Sequence, residues 1–441
     1  HMDMLHDDIK KVLIALSLPI IASNFVQTAF GLIDMIWVGR LGANAVSAVG
    51  TASFYINLAT GVSTLIVIGT GVRVAQSLGA RNVEDARTYT KNSLWMALIL
   101  SVIFSSVFFI FSKPLIGFFK MEHAVVETMA IQYLRHALVG IPFLFFAAVI
   151  TSVLTSYGNT TITFKANTIG FLLNIILDPI MIFGWFGLPK MGIIGAAWAT
   201  TISRLLTLVI LVISSNDEIK ASLKNAINFD KIKDVIKISS PATAQSLIFT
   251  MISMVIARLV IQFGTDAIAT QKIGIQIESI TWVTVGGLQG AISAFVGQNL
   301  GAQKPDRIKE GYYYGLKVVT VFGLIVTSIF LLFPKPIFSI FISDPDLINM
   351  GVGYMVALAF SQTFMAYEML SVGAFNGLGQ THIPPLVSIT FTALRIPMAM
   401  VLTKFLGLSG IWWSISISSI FKGVIMIIWF QTVLKRKFTY E

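Results

Sequence analysis

The sequence predicts an all-α polytopic membrane protein with twelve transmembrane helices in two pseudo-symmetric lobes of six helices each. Three observations lead to this fold class: scarce charge, many long apolar runs and an internal repeat. Of the 441 residues, 55% are hydrophobic and 12% are charged, and the mean hydropathy is +0.82. A soluble protein usually carries about 25% charged residues. The composition therefore excludes a soluble enzyme, and the absence of cysteine excludes disulfides and thiolate metal sites.

Twelve apolar runs are long enough to cross a bilayer, because a hydrocarbon core about 30 Å thick needs about 20 helical residues. Glycine, proline and clusters of charge separate these runs. They lie near residues 12–38, 46–72, 93–119, 131–156, 163–187, 193–215, 236–263, 273–296, 313–341, 350–376, 384–405 and 409–432.

The distribution of lysine and arginine predicts the orientation of the spans. With the N-terminus inside the cell, eighteen basic residues fall in cytoplasmic segments and eight in outer segments. Cytoplasmic loops carry the excess of Lys and Arg in membrane proteins. We therefore expect a multi-pass protein of the plasma or inner membrane with both termini in the cytoplasm. The net charge of +10 then reflects topology, and we expect no nucleic-acid partner.

An internal repeat divides the chain into halves. The segment 76–80 (Gln-Ser-Leu-Gly-Ala) returns at 298–302 as Gln-Asn-Leu-Gly-Ala, and the same offset of 222 residues pairs Pro19 with Pro241. Six helices per half place both repeats in the same orientation, which is a transporter layout with a site near the membrane midplane. The expected divisions are an N-terminal lobe over 3–215, a cytoplasmic linker over 216–237 and a C-terminal lobe over 238–441.

Four acidic residues fall inside the predicted spans: Asp34, Asp178, Glu278 and Glu368. A carboxylate at the bilayer centre costs about 2.5–3.5 kcal/mol, so such residues usually mark an ion or substrate pathway. Glu278 and Glu368 would attract a cationic substrate or bind a second proton. The alternative is that they pair with Arg258 or Arg395 at a helix interface.

Asp34 and Asp178 each share a helix face with other polar residues. At about 100° per residue, Asn24, Gln27 and Asp34 lie within a stripe of about 80° on span 1. Asn174 and Asp178 lie within about 40° of each other on span 5. Two carboxylates in a dry cavity would hold a proton at neutral pH, because neither ionises cheaply beside the other. The alternative is that each Asp pairs with an Asn or a nearby Arg and only fixes the packing.

Proline follows one of these carboxylates, because the residue after Asp178 is Pro179. Proline cannot donate to the carbonyl of Ile175, and carbonyl oxygens freed beside Asp and Asn are suitable ligands for a cation or a hydronium ion. The chain contains no H-E-x-x-H, G-x-S-x-G or G-x-x-x-x-G-K motif. We therefore expect no enzymatic activity, no cofactor and no direct use of ATP.

Several motifs together are similar to one known family. They are Asp34-Met35-Ile36-Trp37-Val38-Gly39, Gln76 to Ala80, Asn174-Ile175-Ile176-Leu177-Asp178-Pro179, Gly195-Ala196-Ala197-Trp198-Ala199-Thr200 and Gln298 to Ala302. With these motifs the chain resembles the multidrug and toxic compound extrusion (MATE) transporters over essentially its whole length. The pairing of Asp34 with Asn174-x-x-x-Asp178 resembles the prokaryotic DinF-like branch in particular.

The resemblance implies an efflux antiporter that exports lipophilic organic cations and other drugs in exchange for H⁺ or Na⁺, by alternating access. It implies a coupling site formed by Asp34, Asn174, Asp178 and Thr200, with a possible Na⁺ bound by the first three of these. Asn24 and Gln27 would line the drug cavity, with Glu278 and Glu368 as further substrate-binding residues. We expect a monomer in contact with membrane lipid.

Two alternatives and one question about coupling remain open. A lipid-linked oligosaccharide flippase of the same superfamily would share the two lobes, but such flippases line their cavity with Arg and Lys, whereas the midplane charges here are mainly acidic. An ion channel or a membrane enzyme is disfavoured by the doubled lobes and by the missing catalytic motifs. Two aspartates and an asparagine are suitable ligands for Na⁺, while a carboxylate in an apolar helix bundle is suited to bind H⁺. We favour H⁺ as the coupling ion.

Overall fold

A computed structural model of the chain describes residues 2–41, 43–119, 121 and 123–438. Within this described part the regular secondary structure is helical, with no β-strand. Eleven helical segments are long and apolar enough to cross a membrane, and the bent pair Pro345–Ala359 and Gln362–Gly377 gives a twelfth when it is counted as one span. The predicted all-α fold with twelve spans is confirmed.

The chain folds into two compact units. Unit 1 comprises Ala22–Ser239, and unit 2 comprises Met2–Ile21 together with the residues from Ser240 onward. The helices that lie wholly or partly in unit 1 are α1 (Ile9–Gly39, from residue 22), α2 (Ala43–Gly79), α3 (Val83–Ile110), α4 (Ser112–Gly117), α5 (Ala124–Ala137), α6 (Ile141–Ser156), α7 (Thr161–Phe183), α8 (Ile193–Ser214), α9 (Asp217–Ser222) and α10 (Phe229–Ile261, to residue 239).

Unit 2 contains the other parts of α1 and α10 and seven further helices of the described chain. These are α11 (Thr265–Gly301), α12 (Pro305–Leu332), α13 (Pro334–Phe341), α14 (Pro345–Ala359), α15 (Gln362–Gly377), α16 (Ile383–Leu406) and α17 (Leu408–Phe438). Residues 439–441 of the expected C-terminal lobe lie outside the described residues.

Large apolar side chains cover the outside of these helices as well as their core. Ile110 is 69% exposed and Leu332 is 72% exposed, while Phe145 and Phe375 are fully buried. A soluble protein seldom leaves such extended apolar surface in contact with water. The exposed apolar surface therefore fits lipid contact, which agrees with the charge-poor composition.

The internal repeat is visible in the backbone. Helices α2 and α11 both have 37 residues, and α3 and α12 both have 28. Between the helices of each pair, Arg81 and Gln303 adopt left-handed φ values of 60° and 56°. The next N–H groups, of Asn82 and Lys304, each bond a carbonyl five residues earlier at 2.9 Å. Equal lengths and equal turns at an offset of 222 confirm that this part of the repeat is structural.

The start of the chain packs with unit 2, which differs from the expected lobe over 3–215. The side chain of Asn299 donates to the carbonyl of Met4 at 3.0 Å, and Arg307 donates to the carbonyls of Met4 and Asp7 at 2.9 and 2.8 Å. Val12 and Leu16 are buried in the same apolar core as Phe295. These contacts connect residues about 300 positions apart, so helix periodicity alone could not predict them.

The expected linker 216–237 packs on unit 1 through ion pairs. Arg87 pairs with Glu218 at 2.6 Å, and Lys231 pairs with Asp85 at 3.0 Å. Arg73 also pairs with Asp234 at 2.7 Å. Because these contacts continue to Ser239, the division between the units lies within α10, two residues before Pro241.

Candidate functional site

The candidate site lies in unit 1, where α1, α7 and α8 contribute its polar residues. On α7, Asn174 and Asp178 are one turn apart and fully buried. The Asn174 Nδ2 atom donates to Asp178 Oδ2 at 3.2 Å. Helix α7 continues through Pro179 to Phe183, so the proline removes one backbone donor without ending the helix.

Asp34 on α1 joins this pair. Its carboxyl group is close enough to Asp178 and Asn174 to interact with both. A hydrogen bond between two carboxyl groups requires a proton on one of them, because an ionised carboxylate is only an acceptor. The arrangement can therefore hold one proton between Asp34 and Asp178.

Each of the four predicted coupling residues has a buried oxygen without a hydrogen-bond partner. In the described part of the chain, ten buried side-chain atoms have none, and four of them are Asp34 Oδ1, Asn174 Oδ1, Asp178 Oδ1 and Thr200 Oγ1. An unsatisfied buried polar atom costs about 1–3 kcal/mol. A small cation or a protonated species would satisfy such oxygens, because hard cations prefer oxygen ligands.

A cavity of about 160 Å³ is lined by two of these residues, Asp34 and Thr200, and not by Asn174 or Asp178. Its polar lining consists of Asp34, Ser53, Asn57, Tyr133, Thr200, Thr201 and Arg204. Drug-sized ligands occupy pockets of about 300–1,000 Å³, whereas one water occupies about 30 Å³ of liquid. In this conformation the cavity has room for an ion and a few waters and is too small for a drug.

Five of these polar lining residues were not predicted from the sequence, and two of the five, Tyr133 and Arg204, are ionisable. Tyr133 on α5 is buried, and Arg204 on α8 is partly buried and interacts electrostatically with Asp34. Arg204 could have been identified by its place inside an apolar span, because a basic residue within the membrane is as costly as an acidic one and as often functional. Tyr133 gave no signal, because tyrosines are common near the ends of membrane spans.

The other predicted substrate residues do not line this cavity. On α1, Asn24 is half-buried and Gln27 is exposed. Glu278 and Glu368 belong to unit 2, where Glu278 accepts hydrogen bonds from Tyr354 and Gln362, and Glu368 lies 3.7 Å from the ammonium of Lys422. A role for these four residues in substrate binding stays a prediction.

No cluster of three or more His, Cys, Asp and Glu side chains that could hold a metal ion occurs among the described residues. The oxygens available near Asp34 come instead from two carboxylates, an amide and a hydroxyl. This ligand set is suited to a monovalent cation or a proton, and it lacks the nitrogen and sulfur ligands typical of a transition-metal centre.

Comparisons with known sequences agree on one family. The profile of the MatE family matches residues 19–180 and again residues 241–401, two segments that begin 222 residues apart. A probable multidrug resistance protein NorM of Thermotoga maritima is 30% identical over 433 residues, which are 96% of this chain and 92% of the relative. An FAD transporter of Shewanella oneidensis is 26% identical over 96% of this chain and 94% of the relative.

Solved structures show the same fold. An outward-facing multidrug resistance MATE family transporter of the MOP superfamily matches with a TM-score of 0.90 at 23% identity, over 98% of this chain and 97% of that chain. A MATE protein in complex with MaL6 matches with a TM-score of 0.89 at 23% identity, over 98% of both chains. At this level of identity the likeness concerns the fold alone, which is the architecture of two six-helix lobes.

Proposed function

Because the chain belongs to the MatE family, we propose that it is a secondary active antiporter that exports lipophilic organic cations in exchange for H⁺ or Na⁺. The observation that carries this proposal is the set of unsatisfied buried oxygens on Asp34, Asn174, Asp178 and Thr200. A structural pair would satisfy its own hydrogen bonds, whereas a site that loads and unloads an ion must leave ligand atoms available.

Coupling follows from competition for negative charge near Asp34. With Asp34 ionised, unit 1 attracts a lipophilic cation taken up from the cytoplasmic side. Protonation of Asp34 from outside, or ion binding between Asp34 and Asp178, removes that attraction and releases the drug. Ion and drug then favour different states of alternating access, and their difference in affinity for these states supplies the coupling free energy.

We favour H⁺ as the coupling ion over Na⁺. The proximity of the carboxyl groups of Asp34 and Asp178 supports a shared proton, because a hydrogen bond between two carboxyl groups requires a proton on one of them. Na⁺ would instead be bound by Asp34, Asn174 and Asp178. We also propose a monomer in the cell membrane with both termini in the cytoplasm, as the basic residues predict.

The relatives support drugs as the substrate class, since the Thermotoga maritima relative is named a probable multidrug resistance protein. The FAD transporter relative suggests flavin dinucleotide as a second candidate substrate. The acidic pair in unit 1 favours a cation over a ligand with two phosphates, because like charges repel strongly in a water-poor site.

Transport in proteoliposomes tests both the substrate and the coupling ion. Vesicles would contain the purified chain and be given either a pH gradient or a Na⁺ gradient, with ethidium, a fluoroquinolone or FAD as the cargo. We expect ethidium and fluoroquinolone movement driven by the pH gradient. Transport driven only by the Na⁺ gradient would identify Na⁺ as the coupling ion. Transport of FAD alone would favour flavin dinucleotide as the substrate. Failure of every cargo to move with either gradient would contradict the proposal.

A further inference from the structure

Among the described residues, unit 2 encloses four charged side chains within its spans, and their charges cancel. Glu278 on α11 and Glu368 on α15 are acidic, while Arg395 on α16 and Lys422 on α17 are basic. Glu278, Arg395 and Lys422 are 4–8% exposed, and the side chain of Glu368 is 12% exposed. Charges inside a membrane are expensive unless they are paired.

Glu278 is held by neutral donors. Tyr354 Oη donates to Glu278 Oε2 at 2.7 Å, and Gln362 Nε2 donates to Glu278 Oε1 at 2.9 Å. Thr281 in turn donates to Gln362 Oε1 at 2.8 Å, which fixes the orientation of that amide. Both carboxylate oxygens of Glu278 therefore have partners from the protein itself.

Arg395 supplies the nearby positive charge for this carboxylate. It donates to Ser418 Oγ at 2.6 Å and to Ser419 Oγ at 3.0 Å, so two hydroxyls of α17 hold its guanidinium. It interacts electrostatically with both Glu278 and Glu368. The guanidinium therefore lies near both buried acidic residues of the unit and, among the described residues, forms no direct ion pair with either.

Lys422 is the direct ionic partner of Glu368. Its Nζ atom lies 3.7 Å from Glu368 Oε2 and donates to Thr392 Oγ1 at 3.2 Å. From α10, the ring of Phe249 lies 5.9 Å from this ammonium, and the same ring lies 5.8 Å from the Arg395 guanidinium. The charged and aromatic groups that face Lys422 from α10, α15 and α16 are therefore Phe249, Glu368 and Arg395.

We propose that the Lys422 ammonium is a built-in monovalent cation, which compensates Glu368 so that this carboxylate of unit 2 binds no ion from solution. A lysine ammonium is a compact point charge on a flexible stem, so it can occupy the place of a small cation beside a carboxylate. Unit 1 differs, because Asp34 and Asp178 outnumber the nearby Arg204 there. Under the proposed function, ion exchange is then confined to unit 1. The role of Lys422 itself does not depend on the coupling role of Asp34.

Removal of the lysine charge tests this proposal through protein stability. Thermal unfolding of the full chain in detergent would be compared in NaCl and in choline chloride at equal ionic strength and pH. In choline, Lys422→Gln should lower the unfolding midpoint by about 5 °C or more, because it leaves a buried carboxylate without its ammonium partner. Na⁺ should restore it, since this cation then compensates Glu368. The wild-type midpoint should respond far less than that of the variant to the exchange of Na⁺ for choline, since any Na⁺ bound in unit 1 affects both proteins equally.

Two further variants keep the test decisive if Lys422→Gln folds poorly. Glu368→Gln alone leaves the ammonium unpaired and should also lower the midpoint, whereas the double variant Lys422→Gln/Glu368→Gln should recover most of the loss. Lys404→Gln, an exposed lysine on α16, is the matched control and should behave as wild type. Additive losses in the double variant, or a Lys422→Gln protein insensitive to Na⁺, would overturn the proposal.

Discussion

The side-chain amide of Asn174 donates to the carboxylate of Asp178 across one turn of α7, at 3.2 Å. This contact uses one of the two Asp178 oxygens and leaves the other buried without a partner, together with the Asn174 amide oxygen. Asn174 therefore orients the carboxylate without saturating it. Such an arrangement suits a site that must accept and release a positively charged ion.

Replacement of Asn174 should alter coupling without stopping it. Asn174→Ala removes a hydrogen bond to a charged group, which contributes about 1.5–3 kcal/mol. We expect the apparent affinity for the coupling ion to change about tenfold or more, because about 1.4 kcal/mol corresponds to a factor of ten. Loss of the donor should strengthen H⁺ binding, since the donor stabilises the ionised carboxylate, whereas loss of the amide oxygen would weaken the binding of Na⁺. The measurement is the rate of drug transport in proteoliposomes as a function of H⁺ or Na⁺ concentration.

Asn167→Ala is the control for this experiment, because Asn167 lies about three turns before Asp178 on the same helix, too far for a hydrogen bond to its carboxylate. It should leave the ion dependence unchanged. Equal ion affinities for Asn174→Ala and wild type would show that Asn174 contributes only to packing.

Close packing of α7 against α8 should make Gly195 intolerant of a side chain. A Cβ atom at Gly195 would lie 2.4 Å from the carbonyl oxygen of Met181, so the backbone of one helix would have to move. Gly195→Ala should destabilise the protein by about 1–3 kcal/mol through overpacking. The measurement is the thermal unfolding midpoint in detergent, with Gly61→Ala as the control.

Gly61 on α2 has no atom within 4 Å of the position of an added Cβ. Alanine there should leave the midpoint unchanged or raise it, since alanine is the better helix former by about 1 kcal/mol. Equal midpoints for the two variants would contradict the close approach of α7 and α8.

The start of α10 should loosen when its anchor to unit 1 is removed. Asp234 accepts hydrogen bonds from Arg73 at 2.7 and 3.1 Å and from Tyr89 Oη at 2.7 Å. Asp234→Asn should speed amide hydrogen exchange over residues 229–239 about fivefold, which corresponds to a loss of about 1 kcal/mol for a partly exposed pair. Hydrogen exchange followed by mass spectrometry measures this change.

The control is Asp230→Asn, one turn earlier on α10, where the aspartate side chain is exposed. This variant should exchange like wild type. Unchanged exchange in Asp234→Asn would mean that other contacts, such as the pair of Lys231 with Asp85, hold the helix start by themselves.

Regular spacing let the sequence predict much of the fold and the centre of the site. The apolar runs predicted twelve spans, and Asp34 and Asp178 stood out because a carboxylate inside a span is costly. Ion pairs between residues that are distant in the sequence could not be predicted from this spacing. Glu368 with Lys422 and Arg87 with Glu218 are separated by 54 and 131 positions. Helix periodicity gives the face on which a side chain lies and does not identify the helix that packs against that face.

The start of the chain is a second example of this limit. Residues 3–21 were assigned to the first lobe by their position in the sequence, and they pack in unit 2 instead. The apolar residues Val12 and Leu16 fit either core equally well by composition. Their partners were selected by tertiary packing, which a single sequence does not display.

Antiport by the Asp34→Asn variant in proteoliposomes tests the proposed coupling site most directly. The asparagine keeps the size of the side chain and removes its ionisable carboxyl, so ion and drug no longer compete for one charge. We predict that gradient-driven ethidium transport falls to the level of empty vesicles and that cells expressing the variant lose drug resistance. Expression and the unfolding midpoint should stay close to wild type. Asp266→Asn, an exposed aspartate in the first turn of α11, should transport normally. Wild-type transport or resistance in Asp34→Asn would contradict the coupling role of Asp34.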